Sequence, residues 1–297
     1  GFLEGHSDYF DAPLLRGNEP VKEQEYLTDA FAREAVSFIG RHRGSPWFLL
    51  VAFNAVHDPM QATEARLARF AHISDPQRRI YAAMTVAMDD AVGAVLRALE
   101  ASGQAKDTLV VFANDNGGPT PPGATRNASS SAPQRGSNRT LLEGGIRVPL
   151  VLSWPGRLSA ATWSSPVMLT DVTATLLATA GATSTGHPPA DGIDLLPFLQ
   201  GERIGEPHRS LYWRFGGQAA IRQGDYKLVR YDSNADTALG ANQPVTDFKL
   251  YHLGNDIGET CDLASEEPQR VAAMAADWDA WNATLVPPLW RNARDRN

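Results

Sequence analysis

Three short runs in this sequence hold residue types suited to ionic or acid–base chemistry. The first is Asn114-Asp115-Asn116-Gly117-Gly118, directly after the apolar run 108–113. A carboxylate beside a carboxamide offers hard oxygen donors, which suits Ca²⁺ or Mg²⁺. The glycines let the backbone turn tightly there. The same residues would also make an Asx/Gly turn with no metal. The second is His57, just past the apolar run 47–53. An imidazole there can donate to an anionic substrate or protonate a leaving oxygen; otherwise it is a loop histidine held by its neighbours. The third is Glu143-Gly144-Gly145-Ile146-Arg147-Val148-Pro149. Glu143 and Arg147 are expected to form a structural ion pair beside a tight turn rather than to act directly.

Elements must carry these residues to one place. Leu27, Phe31, Ala35, Phe38 and Ile39 share one helical face over 26–42. Ile80, Met84, Ala87, Ala91, Val95 and Leu99 keep a period near 3.6 over 76–102, and Gly103 ends that helix. The runs 47–53 and 108–113 are continuous and apolar at strand length. Strands apolar on both faces point to a parallel sheet covered by helices. If the two strands are parallel, His57 and Asp115 open on one rim of the sheet, where α/β folds bind ligands. Residues 1–25 are polar and turn-rich without a period, and 119–138 form a long loop of Pro, Gly, Ser and Asn. Residues 148–154 predict a further strand and 169–180 a helix. After Gly201 the texture changes to short strands at 210–215, 218–222, 226–230 and 249–253, then a helix over 268–282. The expected fold class is α/β with a mostly parallel sheet over 1–205. A small antiparallel sheet with a helix is expected over 206–297.

The 297 residues are 43% hydrophobic and 21% charged, with a formal net charge of -7. An acidic balance gives no support for nucleic-acid binding, which needs a cationic surface. No apolar run reaches the length of a membrane span. The one cysteine, Cys261, cannot form an intrachain disulfide. The opening Gly1-Phe2-Leu3-Glu4-Gly5 has no signal-peptide character and reads as the interior of a longer protein. Oligomeric state is not legible.

The order of the motifs carries more than any one of them. The runs 57–62 (from His57-Asp58-Pro59), Met88-Asp89-Asp90 and 114–118 resemble the arylsulfatase-type sulfatases. So do Arg135-Gly136, the run 142–149, and Trp154-Pro155-Gly156, with 191–195, 221–228 and 255–260 resembling that family's C-terminal region. The resemblance implies an alkaline-phosphatase-like α/β sandwich acting on aryl or carbohydrate sulfate esters. It implies a sulfated small molecule or carbohydrate as partner, and a periplasmic, secreted or lysosomal-type compartment. It also implies a formylglycine nucleophile, made within a Cys/Ser-x-Pro-Ser/Thr-Arg motif, and a bound Ca²⁺, with Mg²⁺ the alternative.

Carried over by motif, Asp115 and Asn116 are the metal ligands, and His57 contacts the sulfate or the leaving oxygen as the catalytic residue. Where the family places a lysine upstream of Glu-Gly-Gly, this sequence has Asn138 with Arg139 beside it. Asn138 brings a hydrogen bond without charge; Arg139 brings the charge if the loop shifts by a residue. Cys261 is followed by Asp262-Leu263-Ala264, so it does not occupy the nucleophile motif. The family's remaining metal aspartates and its lysine/histidine pair lie upstream of this region, so the fragment is expected to be inactive alone. The competing readings are a phosphodiesterase or phosphonate hydrolase of the same superfamily, and a non-catalytic carbohydrate- or partner-binding homologue.

Overall fold

The computed structural model describes residues 8–119, 127–182, 191–235 and 244–287. The chain divides into two compact units, 1–109 with 125–129, and 110–124 with 130–297. That division falls elsewhere than the change of texture near 205, because residues after 205 pack on Leu141 and Leu142 within the second unit.

In the first unit, β1 (Ala12–Arg16) and β2 (Glu19–Glu23) form an antiparallel hairpin. Its two-residue turn opens with Gly17 at φ +64°, the left-handed region that glycine enters without steric cost. The sequence hides this hairpin. Leu14 and Leu15 are adjacent and Pro20 interrupts β2, so no alternation shows. Helix α1 (Leu27–Arg41) buries Leu27, Ala30, Ala35 and Ile39. It packs against α3 (Pro76–Ala101). Asp75 caps α3 by accepting from the Arg78 N–H at 2.8 Å, and Pro76 occupies the first turn, where no N–H is needed. Between them, α2 (Glu64–Arg69) is tied to α1 by a two-pronged Arg66–Asp29 pair at 2.8 Å. The core joins Tyr9, Ala12, Tyr26, Leu27, Met84 and Ala87.

The run 47–53, expected as a strand, joins no ladder among the described residues. Its side chains alternate in exposure, with Phe48 70% and Leu50 75% exposed.

In the second unit, β3 (Val110–Ala113) pairs with β4 (Leu150–Ser153), and the pairing is antiparallel. Two-sided apolarity does not specify strand direction, so the mixed α/β class is met while this neighbouring pair runs opposite to the parallel expectation. Helix α4 (Glu143–Ile146) precedes β4, and α5 (Leu169–Thr179) and α6 (Leu196–Leu199) follow it. The fully buried Asp171 ties 191–208 to α5. It accepts from the N–H groups of Met168 and Ile193 at 2.8 and 2.9 Å and lies 2.9 Å from His208 Nε2.

The C-terminal sheet is an antiparallel meander of β5 (Leu211–Phe215), β6 (Gln218–Gln223), β7 (Tyr226–Arg230) and β8 (Lys249–His252), followed by α7 (Pro268–Ala283). This is the small sheet with a helix that the sequence predicts. Its two faces alternate as a pleat requires. Ala219, Ile221, Leu228 and Leu250 face Met274 and Trp278 of α7. Ala220, Val229 and Tyr251 face the other way and pack on Leu141 and Leu142. By the same period, Gln218, Arg222 and Lys227 lie on the face that meets the 135–146 segment. No helix among the described residues is long and apolar enough to cross a membrane.

Candidate active site

The carboxyl end of β3 runs into 114–118, and antiparallel pairing brings the start of β4 to that same end. Asn114 N–H accordingly donates to Pro149 O at 3.3 Å. Asp115 is exposed, and its Oδ1 accepts from the Asn116 N–H at 2.9 Å. Asn116 is half-buried, and its Nδ2 donates to Gly117 O at 2.8 Å, a bond that does not engage Oδ1. The two oxygen donors predicted from sequence are therefore presented from one tight turn. Among the described residues no group of three or more His, Cys, Asp or Glu side chains is placed to hold a metal ion.

Glycines allow this turn to pack. Gly117 N–H donates to Gly145 O at 2.9 Å, and Gly144 N–H to Arg135 O at 2.7 Å. A Cβ on Gly117 would stand 1.8 Å from Gly144 O, and one on Gly145 would stand 2.3 Å from Thr140 O. Three backbone segments, 114–118, 135–140 and 143–146, thus touch with no side chain between them.

A buried ionic cluster holds this knot from the C-terminal sheet. Lys227 Nζ lies 2.8 Å from Glu143 Oε1 and 2.9 Å from Glu259 Oε1, with all three side chains buried. Glu259 Oε2 also accepts from the Glu143 N–H at 2.6 Å. Arg147 and Arg222 each stand 3.7 Å from Glu143 Oε2. The Glu143–Arg147 pair is as expected from the sequence, but the closest cation is Lys227. Nothing local signals that contact, which spans 84 residues.

The two carboxylates respond to the cluster in opposite directions. Burial opposes the Glu143 charge, but Lys227, with Arg222 and Arg147, outweighs it and holds that carboxyl below its ordinary range. At Glu259 burial wins over Lys227 and pushes the carboxyl up. A depressed acid stabilises the fold above its unfolded pKa, and that contribution is lost as pH falls through the folded value. The raised Glu259 has the opposite sign, and its cost is relieved in acid. Glu143→Gln is therefore expected to destabilise the chain at neutral pH, with the difference from wild type shrinking as pH drops below the ordinary carboxylate range. Urea melts of both proteins across that range measure it. A pH-independent difference would contradict the assignment.

Residues 137–140 form a tight turn bonded to the 114–118 loop. Thr140 N–H donates to Ser137 O at 3.0 Å, and Asn138 N–H donates to Gly118 O at 3.0 Å. Asn138 is half-buried and Arg139 exposed. Arg139 has φ +73°, a left-handed conformation that costs a residue with a Cβ about 1–2 kcal/mol. The structure brings Asp115, Asn116, Asn138 and Arg139 together on adjoining loops of the second unit.

His57 belongs to the first unit. Its ring is exposed, and Nδ1 lies 2.7 Å from Asp58 O. A carbonyl only accepts, so Nδ1 carries the hydrogen and Nε2 is the outward nitrogen. Tyr9, fully buried, shares its one hydroxyl hydrogen between Asn54 O at 2.6 Å and His57 O at 3.0 Å. Burial raises its phenol pKa far above the ordinary value, so it stays a donor at any physiological pH. No pattern in the sequence marks Tyr9 as the anchor of this loop. Tyr9→Phe is expected to cost about 1–2 kcal/mol and to speed amide exchange at His57, whose N–H donates to Asn54 O at 2.9 Å. Exchange unchanged at His57 would show that the loop holds itself.

Ser-x-Pro-x-Arg occurs at Ser74, Ser131 and Ser153, with Gln77, Gln134 and Gly156 where the sulfatase nucleophile motif has Ser or Thr. These serines are not among the expected site residues, and the structure gives each run a packing role. The first starts α3. In the second, Ser131 Oγ donates to Gly144 O at 3.2 Å, and Arg135 binds Glu259 O and Tyr231 Oη. The third ends β4 and turns so that Arg157 lies over Trp154, 4.5 Å from the ring centroid.

This mixed α/β fold is shared with solved sulfatase structures. The chain superposes on Ps i-CgsB, solved in complex with k-i-k-neocarrahexaose, with a TM-score of 0.81 and 30% identity. That match covers 96% of this chain and 61% of the other. The family model for sulfatases matches residues 1–182, and the chain belongs to the sulfatase family. It is 31% identical over 283 residues to a sulfatase of Formosa agariphila, covering 87% of this chain and 50% of that protein. It is 34% identical over 256 residues to the N-acetylgalactosamine-6-sulfatase of Rattus norvegicus, covering 78% of this chain and 47% of that protein. The chain thus spans about half the length of these relatives.

Proposed function

We propose that this chain supplies part of a site that hydrolyses carbohydrate sulfate esters. The observation that carries the proposal is the hydrogen bond from Asn138 N–H to Gly118 O at 3.0 Å. It joins the turn bearing Asn138 and Arg139 to the loop bearing Asp115 and Asn116. Anion-binding groups and cation-binding oxygens then sit on one loop cluster, as transfer to a tetrahedral anion requires. The sulfated carbohydrate named with the Ps i-CgsB structure supports the substrate class.

The donor chemistry of Asp115 and Asn116 fits a hard cation, of which they would hold part of the usual six to eight oxygens. Calcium there would draw charge from a sulfuryl oxygen. Arg139 would pair with a sulfate oxygen and Asn138 would donate to one. His57, in the first unit, is the acid–base residue by family resemblance, with Nδ1 committed to Asp58 O. The chain's serines at Ser-x-Pro-x-Arg runs and its Cys261 lack the nucleophile context, so the chain alone is expected to release no sulfate.

The test is calorimetric titration of the chain, in calcium, with a sulfated galactan oligosaccharide and its desulfated counterpart, alongside a sulfate-release assay. The sulfated sugar should bind about tenfold more tightly, the equivalent of one charge-assisted hydrogen bond. Asp115→Ala and Arg139→Ala should each narrow that gap. Equal affinity for the two sugars would overturn the proposal, and sulfate release by the chain would overturn its expected inactivity.

A further inference from the structure

Arg139 carries a conformational cost that its own turn does not explain. The turn is closed by Thr140, whose N–H and hydroxyl both donate to Ser137 O, at 3.0 and 2.7 Å. Neither bond needs a Cβ at position 139, and glycine would take φ +73° without strain. Something outside the turn therefore stabilises it with arginine in place.

That group is Gln218. It is buried at the first position of β6, just after the Gly216-Gly217 turn, on the sheet face turned toward the 135–146 segment. Its Nε2 donates to Arg139 O at 2.8 Å, and its Oε1 accepts from the Leu141 N–H at 3.3 Å. One carboxamide thereby satisfies the peptide groups on either side of Thr140. A carboxamide offers a donor and an acceptor on one planar group, and it does so at any pH. The hairpin fixes its placement, because Phe215 pairs with Gln218 across that turn.

We propose that Gln218 is the positioning residue for Arg139, holding the strained turn so that the guanidinium is presented beside the 114–118 loop. This rests on the assignment of Arg139 as the cation for the sulfate. It adds a role for the C-terminal sheet: one of its side chains sets the geometry of an anion contact that it does not touch.

The test uses the full chain titrated with sodium sulfate at constant ionic strength, followed by the Arg139 Nε–H resonance and by the backbone amides of 137–141. Gln218→Met keeps the length and removes both bonds. It is expected to weaken sulfate binding about tenfold. The second readout is a double-mutant cycle on melting temperature. The loss caused by Gln218→Met should be markedly smaller in an Arg139→Gly background, where the turn needs no restraint. Equal losses in both backgrounds, or unchanged sulfate affinity in Gln218→Met, would overturn the proposal. Where the methionine variant fails to fold, Gln218→Glu keeps the acceptor and loses the donor, and unchanged sulfate affinity there would overturn it equally. If Arg139→Ala leaves sulfate affinity at the wild-type value, the assignment of Arg139 fails instead, and the melting cycle still decides whether Gln218 restrains the turn.

Discussion

Lys227→Met is expected to lose about 3–5 kcal/mol of stability, the usual cost of removing one partner from a buried ion pair. The side chain is fully buried, with carboxylate oxygens of Glu143 and Glu259 at 2.8 and 2.9 Å. Methionine fills the volume but leaves two buried carboxylates facing each other without their shared cation. Total stabilities of domains this size run to about 5–15 kcal/mol, so the variant should populate unfolded chain under native conditions. Chemical denaturation measures the loss. Adding Glu143→Gln and Glu259→Gln to the methionine variant should recover part of it, because the uncompensated charges are gone. No recovery in that triple variant would show that Lys227 acts through packing alone.

Gly117→Ala is expected to be nearly as damaging, for a steric reason. The added methyl would lie 1.8 Å from Gly144 O, and every near atom belongs to backbone, so no side-chain rotation gives relief. The loops must part, which breaks the 2.9 Å bond from Gly117 N–H to Gly145 O. Overpacking of this kind costs about 1–3 kcal/mol, and the lost bond adds about 1 kcal/mol. Gly40→Ala is the control. It lies in α1, and a methyl added there would meet nothing within 4 Å, so it should stabilise by about 0.5–1 kcal/mol. Melting temperatures that move in opposite directions confirm both. A Gly117→Ala protein as stable as wild type would mean that the 114–118 loop packs differently.

The helices are legible in the sequence because their signals are local. The period of Met84, Ala87, Ala91 and Leu99 and the stop at Gly103 delimit α3 almost to the residue. The strands of the C-terminal sheet are legible from short apolar runs. What escapes is non-local or masked by its neighbours. The β1–β2 hairpin is hidden by adjacent leucines and a proline. The direction of β3 against β4 is not encoded in a run that is apolar on both faces. Asp115, Asn116, Asn138 and Arg139 are proposed from motif order, and the structure sets them on adjoining loops. Tyr9, Gln218 and Lys227 are not found, because each acts on peptide groups or charges 32 to 84 residues away in sequence. A buried lysine within a strand looks, in sequence, like any surface lysine.

The distance in sequence between the site loops and their braces has a consequence for biosynthesis. Residues 114–146 leave the ribosome well before β6 and β7 exist. Until then Glu143 has no Lys227, and Arg139 has no Gln218. The loop cluster can therefore take its final form only after the meander has been translated, and a premature stop before Gln218 should yield a product whose upstream loops never set.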